Sequence, residues 1–241
     1  MRRILFGSLA LVIAWSSNVW AQYGDISNLP LNKPEDKEHV QRMPPPKGAV
    51  VLFDGKSLEQ WIKTNGKDPA SWELMSDGAM QVKGGSIMTK QQFDGNFKLH
   101  VEFRVPYMPK ASGQGRGNSG VYVQGRYEVQ VLDSYGLKSG KNDCGAIYDI
   151  HAPLVNACKA PTVWQSFDIE FHAPKCAAGK KVEPARMTVY HNGVKIHDDA
   201  SIPVDNTRAG LGGDPCTPGP IMLQDHGNPV QFRNIWLLPM E

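Results

Sequence analysis

The chain has 241 residues, of which 41% are hydrophobic and 21% charged, and its formal net charge is only +2. This length suffices for one sizeable domain, and near-neutrality excludes the basic footprint of a nucleic-acid-binding protein. The excess charge comes from Arg2 and Arg3 at the very start, so the remainder is close to neutral. We therefore expect an uncharged polar partner, and sugars are the obvious class.

The first 21 residues have the three parts of a secretory signal peptide. Two arginines precede the apolar run 4–13, and Val19-Trp20-Ala21 forms a small-residue cleavage site before Gln22. The run is too short for a membrane span, and no later stretch is long and apolar enough. We expect cleavage after Ala21 and a secreted protein, periplasmic or extracellular.

The four cysteines all lie beyond this segment, and an even number in an oxidising compartment predicts two disulfides. Among three connectivities we favour Cys144–Cys158 and Cys176–Cys216, because each pair brackets a loop-like segment. A zinc site is the alternative, but the chain has no Cys-x-x-Cys pair to support it.

Residues 22–48 are polar and proline-rich, which predicts an extended lead-in or tether before a domain that covers residues 49–241. The clearest strand pattern is 97–105, in which alternate apolar residues face inward and Pro106 ends the strand. Asn192-Gly193 is the strongest hairpin signal, and we expect His191 and His197 beside it to be exposed. No segment has a sustained helical period, so the pattern predicts an all-β sandwich of about a dozen strands.

The most unusual polar pattern lies within residues 115–135. Two alternating runs around Gly125-Arg126 predict a hairpin. Glu128 and Gln130 share one face of its second strand, and Asp133 lies at the end of that strand. A solvated sheet face would explain them, but the glycine-rich entry loop with Asn118 favours close approach of a ligand.

The register of this hairpin is left open by the sequence. A two-residue turn would place Val121 and Val123 beside Glu128 and Gln130. A loop longer by one residue would bring Tyr122 there instead.

A second polar cluster is Gln224-Asp225-His226-Gly227, where Gln224 and His226 share strand parity. A histidine at a strand end is often structural, yet together with Glu128 it is a candidate for acid–base chemistry. Arg104 ends a predicted strand just before the glycine-rich loop, so we expect it near Asn118. The string Gly115-x-Gly117-x-x-Gly120 is followed by a strand, which excludes a dinucleotide fingerprint.

Four ordered motifs resemble the 3-keto-disaccharide hydrolase family over roughly residues 49–238. They are Leu52-Phe53-Asp54-Gly55-Lys56-Ser57-Leu58-x-x-Trp61, Gly117-Asn118-Ser119-Gly120-Val121-Tyr122, Tyr127-Glu128-Val129-Gln130-Val131-Leu132-Asp133-Ser134 and Leu223-Gln224-Asp225-His226-Gly227. The resemblance implies a concanavalin A-like jelly-roll β-sandwich with a sugar site on its concave face. It also implies cleavage of glycosides that a separate sugar 3-dehydrogenase has first oxidised at C3.

A ketone at C3 acidifies the C2 proton, so a base can remove it and the glycosidic oxygen can leave by elimination, with water adding afterwards. We assign Glu128 as the base and His226 as the acid, although the two roles are exchangeable. Arg104 and Asn118 would steady the enolate, and Gln130 and Gln224 would hold hydroxyls. The remaining substrate-binding candidates are Asp133 and Tyr148. No cofactor is predicted, and a structural Ca²⁺ is left open.

Two other functions fit the same fold. A conventional glucanase needs two carboxylates flanking the bond, yet Gln130 stands where the second acid would be expected. A non-catalytic sugar-binding module would need only the fold.

Overall fold

The computed structural model describes residues 23–240, so the predicted signal peptide lies outside the described residues. Within that range no helix is long and apolar enough to cross a membrane. The secondary structure is nearly all β. The strands are β1 (Val50–Phe53), β2 (Trp61–Lys63), β3 (Glu73–Leu74), β4 (Met80–Gln81), β5 (Ile87–Thr89), β6 (Phe97–Arg104), β7 (Ser119–Val123), β8 (Tyr127–Val131), β9 (Gln165–His172), β10 (Lys175–Ala177), β11 (Lys180–Glu183), β12 (Ala185–His191), β13 (Val194–Ile202), β14 (Met222–Leu223) and β15 (Gln231–Pro239).

Two antiparallel sheets form the sandwich. The larger sheet has the order β13-β12-β9-β6-β15-β4-β3, with β1 also paired to β15, and the smaller has the order β2-β5-β14-β7-β8. Alternate residues of both sheets fill one core, including Phe103 and Phe167 from the larger sheet and Val121 and Val129 from the smaller. The fold is the predicted concanavalin A-like jelly-roll β-sandwich.

Strand β6 shows how the alternating pattern builds this core. Its inward residues Phe97, Leu99, Val101 and Phe103 are all at most 1% exposed. Of the residues with the opposite parity, Glu102 is also fully buried.

The segment 23–48 explains this second buried face, because it packs on the outer side of the larger sheet. The amide of Val40 donates to the carbonyl of Trp164 at 3.1 Å, and the amide of Trp164 donates to Nδ1 of His39 at 3.0 Å. Further along, Asn234 and Trp236 both donate to the carbonyl of Met43. The described part of the proline-rich segment is therefore a docked strap and not a free tether.

The Asn192-Gly193 turn is confirmed between β12 and β13. Both residues have positive φ, 53° and 78°, as a two-residue hairpin with the twist of the flanking strands requires. The expectation that its histidines are exposed is wrong, because His191 is 1% and His197 3% exposed. The ring of His191 packs against Phe167 with centroids 4.8 Å apart, and Nε2 of His197 lies 2.7 Å from the carbonyl oxygen of Gly145.

Only one of the two predicted disulfides is present among the described residues. Cys176 in β10 is bonded to Cys216, which confirms that pair. The predicted Cys144–Cys158 bond is wrong, since both residues are buried free thiols. The segment between them does fold back on itself, but hydrogen bonds close it, including the one from the Cys158 amide to Oδ1 of Asn156 at 2.9 Å.

Candidate active site

The turn between β7 and β8 has three residues, Gln124 to Arg126, and so decides the register that the sequence left open. Gln124 and Gly125 both have positive φ, at 50° and 65°. With this longer loop, Tyr122 pairs directly with Glu128, and Gly120 pairs with Gln130. A tyrosine hydroxyl is thereby placed beside the mid-strand carboxyl group.

A small cleft opens on the face of β7 and β8 that points away from the core. Loops 113–118, 142–148 and 206–209 rise around it, so Glu128 and Gln130 are buried although they lie outside the sandwich core. The cleft has a volume of about 80 Å³. It is lined by Gln114, Asn118, Tyr122, Glu128, Gln130, Tyr148, Arg208, Ala209, Gln224 and His226.

Glu128 is the electrostatic centre of this cleft. Its burial raises the pKa of the carboxyl group from 4.5 to about 8. The hydrogen bond with Tyr122 acts in the opposite direction, and the charge of Asp149 adds to the rise. The group therefore exchanges its proton near neutral pH, the range in which an acid–base catalyst works best.

Tyr122 connects this carboxyl group to its neighbours. Its hydroxyl accepts a hydrogen bond from Nε2 of Gln224 at 3.0 Å, and its single proton has two acceptors within reach, the Glu128 carboxyl group and the carbonyl oxygen of Arg208 at 3.2 Å. Burial raises the pKa of the phenol, so it remains a neutral donor. The carboxyl group, the phenol and the amide thus form one connected polar unit.

Three buried amide oxygens in the cleft have no partner among the described residues, namely Oδ1 of Asn118, Oε1 of Gln130 and Oε1 of Gln224. Their nitrogens are occupied elsewhere. Nδ2 of Asn118 donates to the carbonyl of Gln114 at 2.7 Å, and Nε2 of Gln130 donates to Oε1 of Gln114 at 2.9 Å. Buried acceptors without partners are costly, so these three oxygens are suited to a ligand that brings hydroxyl donors.

Positive charge is available at the mouth of the cleft. Arg208 keeps 77% of its side chain exposed, and its Nε lies 3.4 Å from Oδ2 of Asp149. His226, which follows β14, also lines the cleft and is exposed. A cation and an imidazole therefore stand at the solvent side of a carboxyl group that is itself buried.

The comparisons with known proteins identify the family. The family model described as a 3-keto-alpha-glucoside-1,2-lyase-like domain matches residues 48–238. The chain belongs to this family. The comparison with curated proteins finds no match.

Two solved structures from Parabacteroides distasonis ATCC 8503, both of proteins assigned as glycosyl hydrolases, are similar to this lyase-like chain. One is 34% identical, with a TM-score of 0.73, and the match covers 88% of this chain and all of the other. The second is 20% identical, with a TM-score of 0.57, and the match covers 87% and 98% of the two chains; this one supports the fold alone. Family and fold together make the protein a carbohydrate-processing enzyme.

The lyase-like domain brings together six of the eight predicted catalytic and substrate-binding residues. Glu128, His226, Asn118, Gln130, Tyr148 and Gln224 all line the one cleft. Asn118 presents its oxygen and not its nitrogen there, so it fits a hydroxyl and not the enolate that we expected it to steady.

The prediction that Arg104 lies at the sugar site beside Asn118 is wrong. Arg104 ends β6 in the larger sheet, and its side chain points to the outer face on the far side of the sandwich from Glu128. There it donates to Gln231 at 2.6 Å and Asp77 at 2.8 Å, and its guanidinium lies 4.5 Å from the ring centre of Trp164. The chain next to Arg104 does approach the glycine-rich loop, because a Cβ built at Gly117 would lie 3.0 Å from Cβ of Val105. The Arg104 side chain nevertheless leaves β6 on the outer face of the larger sheet and not toward the cleft.

Asp133 also lies outside the cleft. It lies two residues beyond the end of β8, and its side chain points toward Arg116 in the loop before β7. Its carboxylate lies 3.3 Å from Nε of Arg116 and accepts from the amide of Tyr135 at 3.3 Å. These contacts make it part of the loop support.

Four residues that line the cleft were not among the predicted site residues, namely Gln114, Tyr122, Arg208 and Ala209. The longer of the two hairpin registers pointed to Tyr122. No local pattern marks Gln114 or Arg208, which reach the cleft from loops.

Proposed function

We propose that the protein cleaves the glycosidic bond of 3-keto-disaccharides or related 3-keto-glycosides by elimination, and that water then adds to complete a net hydrolysis. The observation that carries this proposal is the buried Glu128, whose pKa of about 8 suits a base that must remove a carbon-bound proton. The family description, a 3-keto-alpha-glucoside-1,2-lyase-like domain, supports the same bond and the same chemistry.

In the first step the ionised carboxylate of Glu128 takes the proton from C2, and the electrons of that C–H bond pass into the enolate of the C3 ketone. The Tyr122 hydroxyl, hydrogen-bonded to Glu128, orients the carboxylate and modulates its basicity. The developing negative charge lies in a cleft whose lining includes the cationic side chain of Arg208.

In the second step the enolate collapses to a C1–C2 double bond and the bond between C1 and the glycosidic oxygen breaks. The departing oxygen takes a proton, and His226 at the mouth of the cleft is the proposed donor. Its exposed position fits a leaving group that extends into solvent. Addition of water across C1 and C2 then gives the free 3-keto sugar.

Substrate recognition is proposed to rest on the three unpartnered amide oxygens. Each accepts one hydroxyl proton, so Asn118, Gln130 and Gln224 together hold a polyhydroxylated ring without any charge. The cleft of about 80 Å³ is small compared with the ~300 Å³ or more of drug-sized pockets, so part of one ring enters and the rest of the substrate lies outside.

The carboxylate count favours elimination over conventional hydrolysis. Among the described residues that line the cleft, Glu128 is the single carboxylate, and Gln130 follows it on the same face. The neighbouring Asp149 is not part of this lining and is paired with Arg208. A retaining or inverting glycosidase uses a pair of carboxyl groups about 5–10 Å apart, one on each side of the bond.

The test compares a 3-keto-disaccharide with its unoxidised parent, each incubated with the purified protein in D₂O. Elimination followed by addition predicts cleavage of the keto substrate alone and deuterium at C2 of the released 3-keto sugar. The product incubated without enzyme corrects for exchange through spontaneous enolisation. Cleavage of the parent would make the protein a conventional glycosidase, and binding without cleavage would make it a sugar-binding module.

A further inference from the structure

A cluster of three potential metal ligands lies away from the cleft, where the loop after β8 meets the end of β12. The Sγ atoms of Cys144 and Cys158 and a ring nitrogen of His191 all lie within 4.8 Å of one another. We propose that these three residues bind one thiophilic d¹⁰ metal ion, Zn²⁺ or Cu⁺. The proposal is independent of the lyase activity.

The orientation of His191 fits a metal ligand. Its Nε2 lies 3.0 Å from Oε1 of Gln165, to which it donates. This leaves Nδ1, which lies 3.9 Å from where a Cβ of Gly145, the residue after Cys144, would be. A ligating histidine in proteins usually has its second nitrogen held by just such an oxygen. With its proton on Nε2, the ring keeps the lone pair of Nδ1 for the ion.

The backbone at each of the two cysteines is also held by a hydrogen bond to a side chain. The amide of Cys144 donates to Oγ of Ser134, and the amide of Cys158 donates to Oδ1 of Asn156, both at 2.9 Å. Two sulfurs bound to one tetrahedral zinc ion lie about 3.8 Å apart, so the cluster needs only a small adjustment to close on a metal.

The charge balance also favours an ion in this environment. Binding of Zn²⁺ releases the two thiol protons and creates two thiolates, whose charge cancels that of the ion. A neutral group then occupies a buried site. With Cu⁺ the site carries one net negative charge and needs only these three ligands.

An opening for a fourth ligand lies next to Cys158. This residue also lines a groove of about 510 Å³ between the strap and the loop, together with Asp36, Asn156 and Lys159. A water molecule entering from the groove would complete a tetrahedral zinc site. Zn²⁺ at this site would therefore be four-coordinate, whereas Cu⁺ would be three-coordinate.

The bound ion would fasten the loop 132–164 to the larger sheet. That loop also carries Tyr148 and Asn142, whose carbonyl accepts from Gln114, so it forms one wall of the cleft. The ion is expected to stabilise the fold without taking part in the reaction.

The test measures the metal content of the purified full-length protein and its thiols under denaturing conditions. We expect about one equivalent of Zn²⁺ or Cu⁺ after loading with each ion under reducing conditions, and two titratable thiols after the metal is removed. We expect the bound ion to raise the midpoint of thermal unfolding by at least about 5 °C. Cobalt substitution should give a sulfur-to-cobalt charge-transfer band.

Variants locate the ion. Cys144→Ser, Cys158→Ser and His191→Gln should each reduce the bound metal at least tenfold; the glutamine keeps a donor for Gln165. The matched control is Cys176→Ser with Cys216→Ser, which removes the remote disulfide and should leave metal binding unchanged. A Cys144–Cys158 disulfide in the metal-free wild-type protein that persists under loading conditions, or full metal content in all three variants, would overturn the proposal.

Discussion

Gly120 lies directly against the carboxyl group of Glu128 across the β7–β8 pair. A Cβ built at position 120 would overlap Oε1 of Glu128 and lie 2.9 Å from Cε2 of Tyr122. The absence of a side chain at this one position thus leaves the space that the Glu128 carboxyl group occupies. Strand glycines often mark such a close approach.

Replacing Gly120 by alanine tests this relationship. We expect Gly120→Ala to lower kcat/KM at least ~100-fold, because the methyl group displaces Glu128 and Tyr122 together, and to cost about 1–3 kcal/mol of stability. The control is Gly115→Ala, since a Cβ there meets no atom within 4 Å. Equal activity of the two variants would contradict the proposed packing.

The raised pKa of Glu128 predicts how Glu128→Gln changes stability with pH. The pKa of the Glu128 carboxyl group is about 8 in the folded protein and 4.5 in the unfolded chain. Below pH 4.5 the group is protonated in both states, so its titration does not change the free energy of unfolding. Between pH 4.5 and about 8 the unfolded chain ionises more readily than the folded protein, so the free energy of unfolding falls as the pH rises. Glutamine does not ionise, and each pKa unit is worth about 1.4 kcal/mol.

We therefore expect Glu128→Gln to lack activity at every pH and to have a Tm at least about 5 °C above wild type at pH 9, with no such gain at pH 4. Thermal unfolding of both proteins at the two pH values measures this difference. A constant offset between the two curves would show that Glu128 has an ordinary pKa.

The hydroxyl of Tyr122 is expected to set the pH at which Glu128 ionises. Its hydrogen bond lowers the pKa of the carboxyl group, so Tyr122→Phe should raise that pKa further. We expect the ascending limb of the pH–rate profile to move upward by about one unit and the rate at pH 7 to fall about tenfold.

Tyr127→Phe is a matched control for this variant. The Tyr127 hydroxyl is buried without a partner among the described residues, so its removal should leave the pH profile unchanged and cost little stability. Identical profiles for wild type and Tyr122→Phe would separate Tyr122 from the acid–base unit.

Variants of two arginines distinguish a residue needed for activity from one needed for stability. Arg208→Ala should lower kcat at least tenfold with little change in Tm, because the side chain is 77% exposed and lies at the cleft. Arg104→Ala should leave kcat unchanged and lower Tm, because it removes the contacts with Asp77, Gln231 and Trp164 on the opposite face. The reverse pattern would show that the functional guanidinium is that of Arg104 on the larger sheet and not that of Arg208.

Local patterns were sufficient for the fold class and for most of the cleft. Period-2 alternation predicted β6 and the β12–β13 hairpin, because in a sandwich one face of each strand must be apolar. The same rule showed that Glu128 and Gln130 share a face, which is where the cleft formed.

Tertiary structure decided everything that depends on distance between segments. Arg104 and Glu128 both stood out as polar residues in strands, but they belong to different sheets and face opposite sides of the sandwich. Arg208 came from a loop without any pattern. Cys144, Cys158 and His191 meet because a loop folds onto the end of a strand. Side-chain parity is a local property that the sequence carries, whereas the packing of loops and sheets follows from the burial of the whole core, which no local stretch encodes.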